Sequence, residues 1–182
     1  MTARRPATPE DWPLPGPPHV LREYALLADG ERGALVDPQG EITWLCAPHW
    51  DSDAVFCSLL GGAGGYLVSP VHRYVWGGSY EPGSLVWRSR WVTESGIVEC
   101  HEALAFPGDP HRVVILRRIH ARHAPARMDV VLEPAAGFGR RPLEDLRRDE
   151  GGGWHGRAGA LRMCWSGAPD ARPRGDGRGL RA

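Results

Sequence analysis

The chain contains no lysine. All 22 of its basic residues are arginine, and 22 acidic residues balance them, so the formal net charge is zero. We read the arginine bias as genomic codon usage rather than chemistry. A zero balance argues against nucleic-acid and anionic-membrane partners, both of which require a basic surplus. No apolar run approaches the roughly 20 residues of a membrane-spanning helix. The opening stretch, MTARRPATPEDWPLPGPPHV, lacks the apolar centre of a signal peptide and is rich in proline. It is expected to be a disordered leader over residues 1–19, and the cytoplasm is the expected location. Cysteine is sparse too. Cys46, Cys57, Cys100 and Cys164 are far apart and form no C-x-x-C pair, so they are expected to be buried thiols. Cys46 and His49 have C-x-x-H spacing, but no second close pair accompanies them, so no metal and no cofactor is predicted. No G-x-S-x-G elbow is present. The run Gly61–Gly65 lacks the G-K-[ST] of a phosphate loop and reads as a flexible turn.

What is present suits one globular domain with a core: 182 residues, 42% hydrophobic and 24% charged. Its centre is Leu21–Leu60. Gly33–Val36 and Ile42–Cys46 flank Asp37-Pro38-Gln39-Gly40, which suits a type I turn and predicts a β-hairpin with Trp44 and Cys46 on one face. Asp51 or Ser52 is placed to cap a short helix near residues 52–60. That helix would carry Val55, Phe56, Leu59 and Leu60 and end at Gly61-Gly62. Further strands are predicted at Tyr66–Ser69, Arg73–Trp76, Ser84–Thr93, Ile97–Phe106, Arg112–Ala121 and Arg127–Glu133. A late hairpin pairs Gly153–Arg157 with Leu161–Trp165. Between them, Gly137–Gly152 reads as a long, wet, arginine-rich loop. Short strands at this spacing with few helices predict an all-β fold, an antiparallel β-sandwich spanning residues 20–166. Residues 167–182 read as a disordered or truncated tail with solvated arginines (Arg172, Arg174, Arg178, Arg181), leaving the sandwich incomplete at its C-terminus.

The order E-Y-A-L-L-A-D-G-E-R-G-A-L-V, then G-x-I-x-W-L-C-A-P-x-W-D-S-D-A-V-F, resembles the opening of the trehalase-like N-terminal domain. That domain precedes the catalytic barrel of glycoside hydrolase family 15, the glucoamylase and trehalase relatives. The match falls on Tyr24, Ala25, Leu26, Asp29, Ala34, Leu35, Val36, Gly40, Ile42, Trp44, Leu45, Cys46, Pro48, Asp51, Ser52 and Phe56. The chain departs from the pattern at His49 (commonly Arg), Trp50 (commonly Phe) and Asp53 (commonly Pro). The resemblance implies an α-glucosidase that acts with inversion, through two carboxylates held in a helical barrel this chain lacks. No position here inherits them, so no catalytic residue is assigned and the chain alone is expected to be inactive. The implied partner is that barrel, with glucans or trehalose as further candidates.

The candidate substrate rim is His49, Trp50 and Asp51. A tryptophan face suits the C–H face of a pyranose, and a carboxylate accepts sugar hydroxyls. The competing expectation buries Trp50 in a helix–sheet seam and uses Asp51 as a cap. The eight tryptophans also raise a stand-alone carbohydrate-binding sandwich, with Trp76, Trp87, Trp91, Trp154 and Trp165 as platform candidates. Trp87 and Trp91, however, share a face with Leu85 as core residues do. A truncated, non-functional product is the third expectation.

Overall fold

The computed structural model describes residues 19–182. The leader expected over residues 1–19 therefore lies almost wholly outside the described residues. Among the described residues there are fifteen strands, all paired antiparallel, in three sheets. The largest orders β1 (Ala25–Ala28), β2 (Gly33–Val36), β3 (Glu41–Cys46), β5 (Gly65–Pro70), β10 (Met128–Glu133), β15 (Leu180–Arg181) and β14 (Arg172–Pro173), with β4 (Ala54–Phe56) also on β3. A four-stranded sheet orders β6 (Tyr74–Tyr80), β7 (Trp87–Thr93), β8 (Gly96–Leu104) and β9 (Ile115–Arg122). The third comprises β11 (Leu143–Arg148), β12 (Trp154–Ala158) and β13 (Leu161–Trp165). The all-β, antiparallel reading of the sequence is thus correct.

The β2–β3 hairpin forms as its turn chemistry dictates. Gly40 N–H donates to the Asp37 carbonyl at 3.0 Å, and the Asp37 carboxylate accepts from the N–H groups of Gln39 and Glu41 at 2.9 Å each. Gly40 has φ +86°, and a Cβ there would meet the Val68 carbonyl oxygen at 2.2 Å and the Trp91 ring at 2.6 Å. Only glycine fits this corner.

Ala25, Leu27, Ala34, Val36, Ile42, Leu45, Phe56 and Val68 of the large sheet face Trp91, Val98, Cys100 and Leu104 of the four-stranded sheet across one core. A polar chain runs through its middle. Trp87 Nε1 donates to Ser89 Oγ at 3.0 Å, and Ser89 Oγ donates to Glu102 Oε2 at 2.7 Å. The Arg117 guanidinium bonds the other Glu102 oxygen and donates to the carbonyls of Tyr66 and Gly40. Tyr66 OH accepts from Trp165 Nε1 at 3.0 Å, which ties in the third sheet. These bonds offset much of the cost of burying the two charges, although the Arg117 Nε–H is buried without a partner among the described residues.

Four elements differ from expectation. Residues 54–56 are strand β4, and helical character between 52 and 60 shrinks to one 3-10 turn, Ser58–Leu60. Leu45 and Cys46 pair with Phe56 and Ala54 on one side, and loop 135–138 donates to the Val55 and Ala54 carbonyls on the other. Those partners override the local cap signal. The long connection contains β11, which supplies buried Leu143 to the core. The expected strandless tail carries β14 and β15 instead. Leu180 there is fully buried, Arg181 pairs with Asp129 at 2.7 Å, and Arg174 approaches Glu133. Finally, Cys46, Cys57 and Cys100 are buried as expected, but Cys164 is exposed.

Candidate functional site

The candidate loop leaves the end of β3 and spans residues 47–53. Its bend is closed twice: Ser52 N–H donates to the His49 carbonyl at 3.2 Å, and His49 N–H donates to Ser52 Oγ at 3.1 Å. Ser52 therefore caps a turn, as serine does readily, rather than a helix. This bend lifts Trp50 back over the first strands. Trp50 lies on Gly33, whose missing side chain makes room for the ring, and beside Leu26. It is neither buried in a seam nor fully free: one face packs on backbone, and 53% of the residue stays exposed. Asp51 is exposed and His49 partly so.

The surroundings are apolar on one side. The register places Leu26 opposite Leu35, and Leu35 opposite Trp44, so the three form a row on the outer face of the large sheet. Phe138 packs against Trp44 with ring centroids 6.3 Å apart. Trp44 and Cys46 do share a face, joined there by Ala54 and Cys57 in a small second cluster. Trp50, Leu26 and Phe138 are the exposed apolar members of this outer face, at 53%, 39% and 44%. The sequence offered one clue to Phe138: it stands between two glycines in a positive-φ run, Gly137–Gly139, which projects a side chain outward.

Asp51 and Asp53 are both exposed and make no hydrogen bond or ion pair among the described residues. They can accept sugar hydroxyls. Nothing encloses them as the acid–base pair of a glycosidase is enclosed. The protonation equilibria that burial does disturb lie elsewhere. Glu41, desolvated beside Ser58, is pushed up to about 7, and the Cys100 thiol is pushed up to about 12 in the core. Glu41 Oε1 accepts from Ser58 Oγ at 2.8 Å and lies directly over Gly65.

The tryptophan platform does not assemble. Trp91, Trp154 and Trp165 are buried, and Trp76 and Trp87 pack partly buried against the same core. Leu85 falls before β7 and is half exposed. Among the described residues, no three His, Cys, Asp or Glu side chains gather as a metal cage would require.

The fold defines an antiparallel β-sandwich domain whose 47–53 loop lays an exposed tryptophan over the outer face of the large sheet. The trehalase-like N-terminal domain family matches residues 11–163, and the chain belongs to that family. Two curated relatives are similar to it. One is a trehalase of Mycobacterium tuberculosis, 35% identical over 118 residues, covering 60% of this chain and 16% of that enzyme. The other is a trehalase of Mycolicibacterium smegmatis, 34% identical over 110 residues, covering 59% and 16%. The chain thus spans about a sixth of the length of these relatives. No solved structure gives a significant match.

Proposed function

We propose that this chain is the non-catalytic N-terminal β-sandwich of a glycoside hydrolase family 15-type α-glucosidase, trehalase-like in kind. Its partner is a helical catalytic barrel outside the 182 residues, against which it packs and whose pocket it helps to shape. The observation that supports this most is the pairing of a match over residues 11–163 with coverage of only 16% of each trehalase. In this reading the barrel supplies the acid and base that hydrolyse the bond with inversion. The Trp50 loop supplies an apolar stacking face and Asp51 a hydroxyl acceptor at the rim, while His49, lacking the forked donors of arginine, gives at most a single contact.

The test has two arms. The purified chain, incubated with trehalose, maltose and starch, releases no glucose; turnover lost on mutating one carboxylate here would overturn the reading. Grafted in place of the matching segment of the M. tuberculosis enzyme, the chain supports trehalose hydrolysis. Trp50→Ala then raises KM more than it lowers kcat. A graft whose kinetics ignore Trp50 removes the rim role while leaving the packing role intact.

The exposure of Trp50 favours one second reading, a stand-alone carbohydrate-binding sandwich. It requires that trehalose or malto-oligosaccharides quench Trp50 fluorescence in the isolated chain at millimolar concentration or below.

A further inference from the structure

The four-stranded sheet ends in β9, an eight-residue strand whose inner edge pairs without a bulge along the whole of Ile115–Arg122. Among the described residues, nothing pairs with its outer edge. The large sheet blunts its own edges. Beyond β1, Tyr80 OH accepts from Leu26 N–H at 2.8 Å and donates to the Leu26 carbonyl at 3.1 Å, and β14 is two residues long and contains a proline. β9 has no such device, no proline and no glycine.

Its two faces say what would fit. Ile119 stands opposite Cys100, and Ala121 opposite Val98. Cys100 is fully buried and Val98 nearly so, yet Ile119 is 40% exposed and Ala121 is exposed. The core covers β8 and the start of β9, where Ile115 packs on it and the Arg117 side chain is buried, and stops short of Ile119 and Ala121. On the other face the register lines up Arg88, His101 and Arg118, with Arg90, Glu99 and His120 in the neighbouring row. Glu99 is already shared by Arg90 and Arg122, and Glu81 by Arg88 and His101. Among the described residues, Arg118 and His120 have no acidic partner within ion-pair distance. In a chain of zero net charge, this outer face is basic.

A second copy is a poor occupant. Antiparallel pairing about Ile119 would set Arg118 against His120 of the second copy and join two basic faces, which like-charge pairing disfavours.

We propose that the free edge of β9 receives an extended segment of a partner protein. Acidic residues at alternate positions lie beside Arg118 and His120, and apolar residues between them cover Ile119 and Ala121. Main-chain hydrogen bonds to the vacant edge supply affinity, and the alternation supplies specificity.

The probe is a fluorescein-labelled eight-residue peptide that alternates valine and glutamate, titrated into the full chain. Hydrogen exchange is followed in parallel. The expected result is saturable binding, with new protection confined to Ile115–Arg122. Binding weakens about tenfold or more in the Arg118→Glu/His120→Glu variant, whose replaced side chains are exposed and carry no ion pair among the described residues. A control with the same composition but its valines in one block binds far more weakly, since it cannot present one residue type to each face. The proposal is overturned by equal binding of the block control, by protection outside β9, by no binding at all, or by a dimer that protects β9 without peptide.

Discussion

Trp50 rests on Gly33: a Cβ placed at position 33 would come within 2.2 Å of the Trp50 ring. The ring is held by the absence of a side chain two strands away in sequence order, and this contact orients the loop that carries His49 and Asp51. Gly33→Ala should therefore cost about 1–3 kcal/mol and shift Trp50 emission to the red as the ring is pushed into water. In a Trp50→Ala background the same substitution should be nearly neutral. Equal cost in both backgrounds would show that the contact does not hold the loop.

Glu41 makes stability pH-dependent in an unusual direction. Its folded-state pKa, about 7, lies above the 4.5 of an unperturbed glutamate, because burial disfavours the carboxylate. The folded chain keeps a proton that the unfolded chain releases. The associated stability is present in full below the unfolded value and is lost as pH rises toward 7, on the order of 2 kcal/mol. Burial raises Asp37 and Glu133 in the same sense. Urea melts at about pH 5 and about pH 8 should show a larger loss for wild type than for Glu41→Gln. Identical pH slopes would assign the dependence to other groups.

The Glu102–Arg117 pair, both side chains within 2% of full burial, lies within the four-stranded sheet, and Arg117 ties it to the large sheet by donating to the Tyr66 and Gly40 carbonyls. Arg117→Met strands the Glu102 carboxylate and should cost about 3–5 kcal/mol by denaturant melt. Adding Glu102→Leu should recover part of that loss, since an apolar pair carries no desolvation penalty. Failure of the double variant to regain stability would show that the carbonyl contacts of Arg117 to Tyr66 and Gly40 dominate.

A second buried pair acts on a loop. Asp29 and Arg32 meet at 3.2 Å in the β1–β2 turn. From there Arg32 donates to the Asp109 carbonyl, and the Asp29 carbonyl accepts from Gly108 N–H at 3.1 Å. Together they clamp the loop that exposes Phe106. Arg32→Met should speed amide exchange and proteolytic cleavage across residues 106–112 by roughly tenfold or more, beyond any global destabilisation. Unchanged local exchange would remove the clamp.

Thiol chemistry offers a simpler check. Cys164 is exposed, while burial pushes the Cys46 and Cys100 thiols up. One equivalent of an aromatic disulfide reagent should react quickly in the native chain and the remaining three only on unfolding, because only an accessible thiolate attacks.

Much of this domain was legible in its residues because the signals are local. Period-two alternation marked β7, β9, β10 and the β12–β13 hairpin, and Asp37 through Gly40 specified a turn from side-chain chemistry alone. The motif from Tyr24 to Phe56 pointed to the family before any contact was known. The misread segments are those whose conformation depends on distant partners. Val55 and Phe56 form a strand because β3 and loop 135–138 offer hydrogen bonds to both of its edges. Leu180 is buried because β10 has an open edge for β15, so an arginine-rich tail becomes the margin of a sheet. Trp50 keeps one face in water because Gly33, seventeen positions earlier in sequence, leaves room for the other. Alternation tells which residues share a face; only the assembled sheets decide whether that face is covered, since burial depends on what lies across from it.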